Sequence, residues 1–141
     1  MDTDSTLNES NTSENNEPES PFAGKRVILA VIDPEEQQAF GEILVEMGID
    51  VLVASNAVET LQLLEDFPPN LLIMDINQPD MHGWPMINKI REINELRELP
   101  ITVITDQANM GITVARVNYL TRPVSIARLR QSVANALDGV V

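Results

Sequence analysis

The chain has 141 residues, 22 acidic against 9 basic side chains, a formal charge of −13 and no cysteine. One domain is the expected size, a disulfide framework and a cysteine nucleophile are excluded, and no basic stripe is present to hold nucleic acid directly. Residues 1–24 carry six of the acidic side chains, no Lys or Arg, and much Ser, Thr and Asn, a composition that reads as a disordered acidic tail. They begin acidic rather than basic and lack an apolar stretch, unlike a secretory leader, and no segment elsewhere is long enough to cross a bilayer. A soluble cytoplasmic protein is expected, with its folded domain over 25–141.

From Arg26 onward, short apolar runs alternate with helical periodicity, the pattern of successive βα units. A first strand is predicted over 26–32, stopped by Asp33-Pro34, where Asp33 suits a helix cap and Pro34 the first turn. Phe40, Ile43, Leu44 and Met47 form the apolar stripe of the helix that follows, and Gly48 ends it. The second strand covers 49–54, and a helix over 56–67 carries Leu61 and Leu64 at helical spacing before Pro68-Pro69. Four apolar residues, 71–74, then read as a strand buried on both faces and deliver Asp75 into a loop punctuated by Pro79 and Gly83.

A third helix, about 84–94, buries Met86, Ile90 and Ile93, with Trp84 and Met86 read as packing residues. Strand four spans 101–105. Between Asp106 and Val117, Gly111 and the β-branched Ile112, Thr113 and Val114 leave room for only a short, irregular fourth helix. A fifth strand over 117–120 leads through Thr121-Arg122-Pro123 to Ser125, which caps a last helix with its stripe at Ile126, Leu129, Val133 and Leu137. No internal repeat is present.

Five βα units of this size predict an α/β fold: a doubly wound, five-stranded parallel sheet in the flavodoxin-like order 2-1-3-4-5. Strands one and three are then neighbours, with axes about 4.8 Å apart, so Asp33 and Asp75 converge on one crevice at the carboxyl rim, where ligands bind in open α/β sheets. Two carboxylates roughly 4 Å apart repel by about 4 kcal/mol at a surface-like dielectric. That repulsion favours a bound cation, and oxygen-only ligation points to Mg2+. Thr105 and Arg122 bring a hydroxyl and a guanidinium to the same rim, giving a carboxylate nucleophile inside a phosphate-sized anion site.

In order and spacing, these residues resemble the receiver domains of bacterial two-component response regulators, over Lys25 to about Asp138. The matching positions are Ile32-Asp33, Asp75 with Pro79 and His82-Gly83, Thr105, and Arg122-Pro123. The resemblance implies that Asp75 accepts a phosphoryl group from the phosphohistidine of a histidine kinase or phosphotransfer protein. It also implies that Asp33, Asp75 and the backbone carbonyl of Asn77 bind Mg2+, that Thr105 hydrogen-bonds the phosphoryl oxygens, and that Tyr119 is the switch aromatic. Such a protein would not be an enzyme beyond self-catalysed transfer to Asp75 and hydrolysis of the product.

Departures from the family pattern accompany the matches. Ile32 replaces one carboxylate of the acidic pair, so weakened Mg2+ affinity is expected, and Glu35 could compensate only through a water. Arg122 stands where the family has Lys, a planar fork in place of a compact ammonium. His82 replaces an acidic loop residue and reads as a solvated side chain, and Asp106 sets an extra carboxylate beside the pocket. A phosphorylation-independent pseudo-receiver, acting as a protein-binding module, is therefore the alternative. A phosphatase of the haloacid-dehalogenase type would need a second Asp that Asp75-Ile76-Asn77 lacks, and a flavin or dinucleotide module would need glycine after strand one.

Overall fold

In a computed structural model that describes residues 20–107 and 115–138, the apolar runs become β1 (Arg26–Ala30), β2 (Asp50–Val53), β3 (Leu71–Asp75), β4 (Ile101–Thr105) and β5 (Val117–Thr121). All four pairings are parallel, in the order β2-β1-β3-β4-β5. The helices are α1 (Pro34–Glu46), α2 (Ala57–Asp66), α3 (Gly83–Glu92) and α4 (Ile126–Leu137), and a short 3-10 turn, Asn94–Leu96, follows α3. The sheet is doubly wound, as the βα alternation predicts.

Strand parity sorts the core into two layers, because successive side chains point to opposite faces. Val27, Leu29, Leu71, Ile73, Ile104 and Leu120 pack with the stripes of α1 and α4. On the other face Ile28, Leu72, Met74, Ile101 and Val103 pack with α2 and α3. All five residues of β3 are buried, and each large apolar side chain so placed contributes about 1.5–3 kcal/mol. The edge strand β2 stays half open to solvent.

Several expectations shift at the element ends. β1 stops at Ala30 rather than Ile32, because the Gln37 side chain takes the Val31 carbonyl (Nε2 to O, 2.6 Å) as α1 begins. Asp33 holds the N-cap position of α1 but makes no side-chain cap bond. Ile126, predicted as part of the last apolar stripe, is 59% exposed; Leu129, Val133 and Ala136 form the buried face instead. Ser125 does cap α4, accepting from the Arg128 N–H at 3.1 Å. The expected short fourth helix falls largely on 108–114, outside the described residues.

Residues 20–24, assigned by composition to the tail, make contacts to the domain. Ser20 donates to the Met47 carbonyl, and Phe22 packs on the α1–α4 layer. Gly48, at φ +86°, turns the chain out of α1 directly beneath Ser20, where a Cβ would lie 2.7 Å from the serine's own. The acidic segment 1–19 lies outside the described residues.

Candidate functional site

Asp75 is 6% exposed at the end of β3, and a carboxylate so placed needs donors for its charge. It has two. The Ile32 N–H donates to Oδ2 at 2.7 Å, and the Arg122 guanidinium pairs with Oδ1. Ile32 thus contributes a backbone donor at the position where its side chain supplies no carboxylate.

Arg122 spends its fork on several acids. Nε and Nη2 donate to the two oxygens of Glu36, each at 2.8 Å; Nη2 also reaches Asp75, and Nη1 lies 3.4 Å from Asp106. The hydrogen bonds that the guanidinium donates to Glu36, ahead of the opposing effect of burial, hold it above its ordinary pKa, so it stays charged. Glu36 reaches this position because Pro34 starts α1 beside the rim, which projects a first-turn side chain toward the β5 end.

The loop after β3 is cross-tied. Gln78 is buried, and its Nε2 donates to the carbonyls of Ala30 and Asp75, each at 3.0 Å, linking the ends of β1 and β3. Asp80 accepts from the N–H groups of Ala57 (2.7 Å) and Val58 (3.0 Å) at the start of α2, while Asn56 accepts from Glu59. Those bonds satisfy three donors that a helix start leaves open. The Ala57 N–H, opposed by desolvation and aided by the Val58 N–H, lowers the Asp80 pKa. Gly83 admits the loop's close approach, because a Cβ there would lie 2.3 Å from the Ile76 carbonyl oxygen.

Thr105 is 4% exposed at the end of β4, and its hydroxyl accepts from the Gln107 N–H at 3.2 Å. Its carbonyl accepts from the Arg122 N–H at 2.9 Å, so the two residues are tied through the backbone. By strand parity Thr105 faces the α2–α3 layer, whereas Arg122 and Glu36 lie on the α1 side of the rim. Tyr119 pairs in register with Val103, shares the face of Thr105, and its ring centroid lies 6.2 Å from that of Trp84. Burial raises the Tyr119 phenol pKa.

Asp33, Asn77, His82, Asp75, Thr105 and Arg122 all line one cleft of 560 Å3 at the carboxyl rim. Asp33 and Asn77 are exposed, and His82 caps α3, its Nδ1 accepting from Trp84 N–H at 3.4 Å. For the expected Mg2+, Asp33, Asp75 and Asn77 all line the cleft, so carboxylate and amide or carbonyl oxygens, hard donors of the kind that ion takes alongside water, are present at its wall. Among the described residues no cluster of three His, Asp, Glu or Cys side chains is suited to a metal. The donor set therefore fits an ion that keeps much of its water, with Asp75 Oδ1 already engaged by Arg122.

Three contributors escaped the sequence reading. Glu36 was not singled out, and its only signal is an acidic side chain one turn after the acidic-pair position. Gln78 and Asp80 looked like loop polarity. Their bonds depend on the loop after β3 lying beside the end of β1 and the start of α2.

Comparison with known proteins matches residues 28–134 to the response regulator receiver domain model. An uncharacterized 14.6 kDa protein of Leptolyngbya boryana is 35% identical over 103 residues, covering 70% of this chain and 79% of its own. The sensor histidine kinase TmoS of Ectopseudomonas mendocina is 30% identical over 116 residues, covering 79% of this chain but only 12% of the kinase; the corresponding share of the Helicobacter pylori kinase CheAY is 15%. The chain thus corresponds to a small part of those kinases. Among solved structures, a CheY-like receiver domain from Methanospirillum hungatei aligns at TM-score 0.72 and 26% identity over 82% of this chain and 95% of that one. A receiver domain of a Pseudomonas aeruginosa sensor histidine kinase, described with a magnesium ion coordinated in its active-site cleft, aligns at TM-score 0.74 and 21% identity over 82% and 99% of the two chains. With the family model spanning most of the chain and the sheet order in agreement, this chain belongs to the response regulator receiver domain family of two-component signalling.

Proposed function

We propose that this domain is a phospho-accepting receiver in which Asp75 takes a phosphoryl group from the phosphohistidine of a histidine kinase or phosphotransfer protein in the cytoplasm. The observation that carries the reading is the Asp75 carboxylate at the wall of a 560 Å3 cleft, shared with the Arg122 guanidinium and Thr105. In the transfer, an Asp75 oxygen attacks phosphorus, the O–P bond forms as the donor's N–P bond breaks, and the departing imidazole recovers its electron pair and takes a proton. Arg122 offsets charge on the transferred group, and Thr105, turning from Gln107, donates its hydroxyl to a phosphoryl oxygen.

Asp33, Asp75 and the Asn77 carbonyl would hold Mg2+, which when bound offsets phosphoryl charge. Its affinity is expected to be weak, with Ile32 in the acidic pair. The output is altered protein contact: Thr105 and Tyr119 share a face of the sheet, so a hydroxyl drawn toward phosphate changes the packing beside Trp84. Acyl-phosphate formation with a small phosphodonor and Mg2+ tests the reading, with Asp75→Asn as control. Label that appears in the wild type and is absent from the variant supports it, and no Asp75-dependent label removes it.

The pseudo-receiver reading has one observation in its favour: both Asp75 oxygens already have partners, and the guanidinium on one of them is gripped by Glu36. That reading expects no shift of amide resonances near Asp75 or Tyr119 when Mg2+ and a beryllium fluoride phosphate mimic are added. The phospho-accepting reading expects shifts at both.

A further inference from the structure

Glu36 grips Arg122 side-on. Nε and Nη2 each donate to a separate Glu36 oxygen at 2.8 Å, the bidentate geometry that orients a guanidinium as well as attracting it. With one Nη2 hydrogen on Glu36, the other is left for Asp75 Oδ1, and Nη1 turns outward to the exposed Asp106. The Arg122 and Glu36 side chains are only 23% and 20% exposed. Such a pair is less screened than one at the open surface.

This rim therefore holds one guanidinium among four cleft-lining carboxylates: Asp33, Glu36, Asp75 and Asp106. We propose that Glu36 is a positioning residue that fixes the Arg122 guanidinium on Asp75, making Arg122 the resident counter-cation of that carboxylate, so that a divalent cation must compete with it. The inference deepens the receiver reading and rests on Asp75 being the functional carboxylate. A displaced guanidinium has room to move: Glu36 and Arg122 also border an open surface groove lined by Glu35, Ala39, Phe40, Pro123 and Val124. A lysine at 122 could not reproduce the arrangement, because its single ammonium lacks the planar fork that joins two acids at fixed angles.

A Mg2+ titration followed through the amide resonances of Ile32 and Asn77 tests the inference with no phosphodonor present. Glu36→Asp keeps the charge and shortens the arm, so simple electrostatics predicts unchanged Mg2+ affinity, whereas loss of positioning frees Asp75 and tightens Mg2+ by about fivefold. Glu36→Gln removes a negative charge, which alone weakens cation binding; under the proposal it too binds Mg2+ more tightly than the wild type. Arg122→Ala, with the counter-cation gone, binds tightest. Circular dichroism of each variant verifies the fold. Unchanged or weaker Mg2+ binding in folded Glu36→Asp overturns the positioning role, as does an Arg122→Ala protein that binds no more tightly than wild type. Failure of acyl-phosphate formation would remove the receiver reading and leave these affinities as they are.

Discussion

At the residue scale, the same side-chain type does different work according to its donors. Asp75, the last residue of β3, and Asp80, in the loop that follows, lie five positions apart; the first faces a guanidinium and a single N–H, the second two N–H groups at a helix start. Asp80 is the loop's tie to α2, and its pKa is lowered chiefly by the Ala57 N–H. A carboxyl whose folded pKa lies below its unfolded one contributes stability that is present above the unfolded value and is lost as pH falls through the folded one. Melting temperatures followed from about pH 7 down to about pH 2 should therefore fall less steeply for Asp80→Asn than for the wild type, with the variant lower at neutral pH and the two curves converging at the acid end. Parallel curves would show that Asp80 does not carry this linkage. The placement of Asp33 and Asp75 at one rim was legible from their positions after apolar runs. Glu36 was not, because nothing in its local sequence distinguishes a side chain that braces an arginine 86 positions away from one that only favours a helix start.

At the element scale, boundaries follow from who claims the last backbone groups. The predicted strand over 101–105 coincides with β4 because apolar burial and ladder pairing end together at Thr105. β1 ends earlier than its apolar run because a Gln37 side chain, invisible to hydropathy, takes the Val31 carbonyl. α4 buries Leu129 and Val133 yet exposes Ile126, its first residue, whereas periodicity counts every apolar position alike. The α3 start depends on Gly83. Replacing it by Ala sets a methyl 2.3 Å from the Ile76 carbonyl oxygen, and backbone cannot yield as a flexible side chain can. Gly83→Ala should cost about 1–3 kcal/mol in urea denaturation and shift the amides of Asn77 and Gln78. A variant as stable as the parent would mean that the loop relaxes without strain.

At the scale of the whole molecule, the five-strand parallel order and the doubly wound arrangement were determined by the sequence alone. Hydrophobic periodicity and βα connectivity leave few other ways to bury the sheet's faces. One contact was not legible: Phe22 sits in a polar, acidic stretch, yet it packs on the α1–α4 layer. Phe22→Ala should lower unfolding stability by about 1–2 kcal/mol, measured by denaturant titration, whereas a solvated tail residue would change it by a few tenths at most. The placement of acidic, hydroxyl and basic groups at one rim was likewise readable, because strand ends carry them there. Only the tertiary structure decided how those groups are paired: Arg122 between Glu36 and Asp75, Gln78 across β1 and β3, Asp80 on α2. Hydrogen bonds and ion pairs depend on ångström-scale distances and directions between residues far apart in the chain, whereas periodicity reports only which face each residue shares.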